Sequence, residues 1–146
     1  MLQQNRVFIF FVWAILLTIT SCHPDHSQSE IELSMKQYDH YIKNVDADSI
    51  ALMFTPDGDL GNIAHGRDSI RKFLSSFKNI SVLATESTTG SIVLNSDSAT
   101  QTGTYWQLDL INARDTVKVK GLFTAKWKWT KESGWRLKKM ETSPVN

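Results

Sequence analysis

The stretch Val117-Lys118-Val119-Lys120-Gly121-Leu122-Phe123-Thr124-Ala125-Lys126-Trp127-Lys128-Trp129 decides the architecture. Its odd-numbered positions are apolar and its even-numbered ones mostly lysine, the period-two pattern of a strand with one face buried and one face wet. A strand this long needs partners of similar length. The preceding segment Thr100–Ile111 supplies one, with Thr102, Thr104, Trp106, Leu108 and Leu110 as its expected inner face. Gly103 and Gly121 fall where a long strand bulges or bends. Ile80–Thr85, Ser91–Asn95 and Gly134–Glu141 complete the predicted meander, and Lys131-Glu132-Ser133-Gly134 reads as the hairpin turn before the last strand.

Upstream of Asn79 the periodicity changes to that of helices. Ser29-x-x-Glu32 has the form of a capping box, and Ile31, Met35, Tyr38, Ile42 and Val45 then recur every three or four residues, so a helix is predicted from Ser29 to near Asn44. Asp46 offers N-cap chemistry to a second, shorter helix through Phe54. Thr55-Pro56-Asp57-Gly58 reads as a turn, Asp59–Ile63 as a short strand, and Gly66–Phe77 as a third helix with Ile70, Phe73, Leu74 and Phe77 on one side. The order defines an α+β plan in which N-terminal helices pack on one face of a strongly curved antiparallel sheet.

The string Tyr38…Asp46-x-Asp48-x-Ile50-Ala51-x-x-Phe54-x-x-Asp57, followed by Gly66-Arg67-Asp68-Ser69-Ile70 and Gly134-Trp135-Arg136-Leu137, resembles the cone-shaped superfamily of nuclear transport factor two, ketosteroid isomerase and the SnoaL-like polyketide cyclases. It is most similar to their small secreted bacterial members. The resemblance covers nearly all of Ser29 to Glu141 and rests on helix starts, a turn glycine and a core tryptophan. It implies a sheet curled around the first helix, with a pocket between the helices and the concave face. Members use such a pocket as isomerases, cyclases, dehydratases, ligand binders or docking surfaces, so the fold alone leaves the activity open.

Carried over residue by residue without gaps from Phe54, the resemblance places the isomerases' oxyanion-donating tyrosine on Tyr38 and their general-base aspartate on Asn62. An asparagine cannot take up a proton at neutral pH, which removes the central group of that chemistry. His65, three residues on, is the candidate replacement base, and a surface turn residue is its plainer reading. Tyr38 also lies on the packing stripe, which gives it a core role with its hydroxyl turned to a polar partner. Trp106, Phe123 and Trp127 are expected to point inward, as core or as the wall of a pocket for a flat apolar ligand. Asp57 and Asp59 read as a solvated turn rather than a catalytic carboxylate pair.

The N-terminal stretch concerns location. Arg6 precedes the apolar run Val7–Thr20, which is shorter than the roughly 18 residues a membrane span requires. Leu17-Thr18-Ile19-Thr20-Ser21-Cys22 resembles a bacterial lipobox, and Cys22 is the only cysteine of the chain. The expectation is a signal peptide over residues 1–21, lipidation at Cys22 including palmitate, a mobile tether over residues 22–28 and a folded domain over residues 29–143. The membrane is then a partner through the lipid, in the bacterial envelope and on the outer membrane or periplasmic face rather than the inner membrane. Loss of residues 1–21 takes the formal charge from +1 to zero, a balance that gives no reason to expect nucleic acid. His23, Asp25 and His26 are too few for a closed metal site, so no metal is expected. No phosphate loop, nucleophile elbow or cofactor motif occurs, and no cofactor is expected.

Three functions fit these residues. The first is a non-catalytic binder of a small apolar or amphipathic ligand at Tyr38, Asn62, His65, Trp106, Phe123 and Trp127. The second is a small isomerase, cyclase or hydratase using His65 with Tyr38. The third is a protein-interaction module, with a homodimer through the sheet as one form.

Overall fold

Ile31, Met35 and Tyr38, three members of the predicted stripe, are buried in the computed structural model, which describes residues 26–145. They lie on helix α1 (Gln28–Asn44), which ends at Val45 in the left-handed conformation, φ 50°. Helix α2 (Ala47–Met53) starts on the predicted cap, the Asp46 carboxylate accepting from the Ser49 N–H at 3.0 Å. The α1 capping box does not form. The helix begins at Gln28, Ser27 is its N-cap without a side-chain bond to the helix backbone, and the Ser29 hydroxyl meets that of Ser27 at 2.8 Å.

Two strands and a helix follow: β1 (Phe54–Leu60), β2 (Ala64–His65) and α3 (Arg67–Leu74). The predicted Thr55–Gly58 turn is therefore strand. β1 runs parallel to the last strand, and its register shifts between Phe54 and Asp59, so Pro56 sits in an irregular segment where its missing N–H is tolerated. Asp57 is tied to Lys138 at 2.6 Å and accepts from the Thr55 hydroxyl at 3.0 Å, which holds its carboxyl below the ordinary aspartate range.

Four long strands form the rest: β3 (Ile80–Asn95), β4 (Ser98–Ile111), β5 (Asp115–Thr130) and β6 (Gly134–Pro144). The sheet order is β2-β1-β6-β5-β4-β3, antiparallel except for β1 beside β6. The two strands predicted over residues 80–95 are one, because Glu86 to Thr89 continue the pairing with β4 and the extra residue at Gly90 is absorbed as a bulge. This is an edge strand, so its polar middle costs no burial.

On β4 the expected inner face is the outer one. Ala99, Gln101, Gly103, Tyr105 and Gln107 stand opposite Trp127, Ala125, Phe123, Gly121 and Val119 of β5, whose inner face from Gly121 to Trp127 is buried as its alternation predicts. Bulky apolar residues occur at both parities of β4, so only its register with β5 fixes which set turns inward.

The core gathers Ile31, Ile50, Phe54, Ile70, Trp127 and Leu137, all essentially fully buried. Each contributes about 1.5–3 kcal/mol by leaving water. Gln101 is buried among them and satisfied: its carbonyl accepts from Trp127 Nε1 at 3.0 Å, and its amide donates to Thr89 Oγ1 at 2.8 Å.

The expected tether ends sooner than residue 28. The His26 ring sits between Trp129 and Trp135, with centroids at 4.5 and 5.1 Å, and bonds Glu30 at 3.0 Å; its side chain is 7% exposed. Trp135 Nε1 donates to the same Glu30 carboxylate at 2.9 Å, which with His26 draws that carboxyl below its usual range. Cys22 and the expected signal segment over residues 1–21 lie outside the described residues. Among the described residues no helix is long and apolar enough to cross a membrane.

Candidate functional site

The curled sheet, α1 and α3 enclose a cavity of about 260 Å³. Its walls are chiefly apolar: Ile42 from α1, Phe73 and Leu74 from α3, Val119 and Phe123 from β5, and Met140 from β6. Two close approaches shape its floor. Gly103 faces Phe123, and Gly121 faces Tyr105, so both rings lie where a Cβ on the glycine would intrude, 2.7 Å from Phe123 Cε1 and 2.8 Å from Tyr105 Cε1. The pairing of glycine with aromatic lets the rings lie along the sheet and leaves the space above them open.

Polar groups reach the cavity from both layers: Tyr38 and Asp39 from α1, and Thr85, Ser87, Tyr105, Gln107 and Thr142 from the sheet. Tyr38 is 9% exposed, and its ring meets Phe54 edge-on at 6.4 Å. Its hydroxyl has no hydrogen-bond partner among the described residues, and burial together with the neighbouring Asp39 charge pushes the phenol far up, so it remains an O–H donor. Asp39 is half-buried and reaches β3: Oδ2 accepts from the Ser87 N–H at 2.9 Å and Oδ1 from the Ser87 hydroxyl at 2.7 Å. Burial raises its carboxyl above the ordinary aspartate range, the Ser87 bonds oppose this, and the Glu86 charge adds to it.

Asp39 is the site residue that sequence reasoning missed. Four positions after Met35 and beside Tyr38, it sits at the edge of the apolar stripe, and a carboxylate there is the signal that pointed to it.

The remaining sequence candidates separate. Phe123 lines the cavity beside Tyr38. Asn62 does not; it is exposed in an adjoining polar vestibule of about 560 Å³, which shares Leu60, Ile63, Phe123, Met140 and Thr142 with the cavity. His65 lies elsewhere, in a groove with Pro56 and Arg67, its side chain 77% exposed and its Nδ1 2.6 Å from Asp59. The short β2 pairing with Asp59 turns it away from the cone. Trp127 is fully buried core behind the cavity wall, engaged with Gln101. Trp106 is on the outer face, where its Nε1 donates to Glu86 at 3.2 Å and Lys118 stands 5.1 Å over its ring. Tyr105 takes the place on the wall that was expected for Trp106.

A helix-wrapped sheet with its cavity at the concave face is the nuclear transport factor two-like cone, and the chain has this fold. Solved structures share it: a ketosteroid isomerase-like protein from Erwinia carotovora (TM-score 0.73, 16% identity, 84% of this chain and 98% of that one). A nuclear transport factor 2-like superfamily protein from Salmonella enterica matches with TM-score 0.67 and 15% identity, over 81% of this chain and 90% of that one. ActVI-ORFA from Streptomyces coelicolor matches with TM-score 0.67 and 18% identity, over 81% and 94%. No family model matches the sequence, and no curated protein matches it. At such identities the likeness concerns the fold, and the function rests on the site.

Proposed function

We propose that the cone binds a small, largely apolar ligand, in a protein held to the bacterial envelope by lipid on Cys22. The observation that carries the binding reading is the free Tyr38 hydroxyl in an apolar cavity. The hydroxyl has no protein partner among the described residues and stays accessible from the cavity, so it can donate to a ligand oxygen or nitrogen without giving up an existing bond. A cavity of about 150 Å³ takes up benzene, so this larger one suits a one- or two-ring compound. The vestibule with Asn62 gives a polar substituent a place to stay wet.

The test is the full chain taken from its host's envelope, with its native mass compared with its denatured mass. A reproducible small-molecule excess supports the reading; a bare mass in every preparation overturns it. For the anchor, Cys22→Ser should move the protein out of the membrane fraction, and unchanged fractionation would exclude lipidation.

A proton-transfer enzyme of the isomerase or cyclase type is the second reading. Asp39 beside Tyr38 favours it, since a carboxyl in an apolar cavity can accept a substrate proton while the phenol steadies the developing oxyanion. His65 has no part in that version.

A further inference from the structure

We propose that the ligand of this cavity carries a protonated amine. The inference rests on the binding reading and names the chemical class that the site selects. Among the described residues, Asp39 is the single charged one in the cavity wall. Among the described residues it has no cationic partner, only Ser87. No lysine, arginine or histidine among the described residues lines the cavity or the vestibule, and the vestibule adds Glu141, paired with Lys139 at 2.6 Å. Glu86, next along β3 to Ser87, adds a further negative charge nearby.

The hydrogen bonds around Asp39 suit its ionised form. A backbone N–H can only donate, so Ser87 holds Oδ2 as an acceptor, and the Ser87 hydroxyl donates to Oδ1. A carboxylate that is solvated by two donors and has no counter-charge is completed by a cation. The rest of the wall agrees, because Tyr38, Phe73, Tyr105 and Phe123 present four aromatic rings around the same space, and ring faces attract an ammonium group. An anionic ligand would meet the Asp39 charge with only the Tyr38 hydroxyl to offset it. A neutral ligand would leave the carboxylate unpaired.

The test uses three probes of one skeleton: 1-naphthylmethylamine, 1-naphthylmethanol and 1-naphthoate. Each is titrated calorimetrically into the full chain in phosphatidylcholine nanodiscs at pH 7, with empty nanodiscs as the blank. The amine should bind at least tenfold tighter than the alcohol, and the naphthoate should not bind measurably. Asp39→Asn, which keeps an acceptor for Ser87, should erase the amine preference and leave alcohol binding in place. Equal or tighter binding of the alcohol to the wild type overturns the amine assignment while the cavity reading survives. Failure of all three probes overturns both. If Asp39→Asn does not fold, the wild-type ratio of amine to alcohol decides the matter by itself.

Discussion

Tyr105 lies across the strand pair over Gly121, its Cε1 2.8 Å from the point a Cβ would occupy. The aromatic floor of the cavity therefore depends on a residue with no side chain. Gly121→Ala and Gly103→Ala should each destabilise the fold by about 1–3 kcal/mol, the cost of overpacking. Gly90→Ala should change stability by less than about 0.5 kcal/mol, because its Cβ would meet ordinary contacts at 3.5 Å and beyond. Urea unfolding of the three variants checks the contrast; equal losses would refute it.

Tyr38→Phe removes a hydroxyl that has no protein partner among the described residues, so thermal stability should be unchanged or slightly higher. Affinity for the native ligand should fall by about tenfold, the loss of one hydrogen bond. A large drop in melting temperature would mean that the hydroxyl has a structural partner after all.

Asp39 gives a pH signature. Its folded carboxyl titrates above its unfolded one, so the folded state binds more protons between the two values, and stability declines as pH rises from about 4 through the raised folded pKa. Tyr38 stays protonated throughout this window, and Glu86 is the other charge acting on the group. Asp39→Asn should flatten that decline: the melting temperature of the wild type minus that of the variant should shrink from pH 4 to pH 7. A difference that grows with pH would reverse the sign argued here.

His26→Ala should cost about 0.5–1.5 kcal/mol, since the ring is held between Trp129 and Trp135. Glu30 accepts from both His26 and Trp135, so Glu30→Gln should lower stability at pH 7 and have a smaller effect at pH 3, because the wild-type contribution is lost as pH falls through the lowered carboxyl's own pKa. Thermal melts at both pH values provide the check.

His65→Gln should leave ligand affinity within about twofold of the wild type, because the exposed ring contacts Asp59 outside the cavity. Any loss approaching that of Tyr38→Phe would return His65 to the site.

The sequence by itself determined the elements that obey one strong period. The α1 stripe through Ile31, Met35 and Tyr38, the Asp46 cap and the alternating β5 strand follow from local chemistry, and the curved α+β plan follows from their order. Tyr38 and Phe123 belonged to this legible part, since each sits on a face that its own element defines. Only the tertiary structure decided which side of β4 is inside: the choice between Tyr105 and Trp106 is a matter of register with a neighbouring strand, and one residue of slip exchanges them. The same holds for His65, turned outward by a two-residue strand, and for His26, captured by tryptophans more than a hundred residues away in the chain. Asp39 became a site residue only when β3 brought Ser87 to it and the sheet closed around both, because burial and the absence of a counter-charge are properties of an enclosed space rather than of a segment.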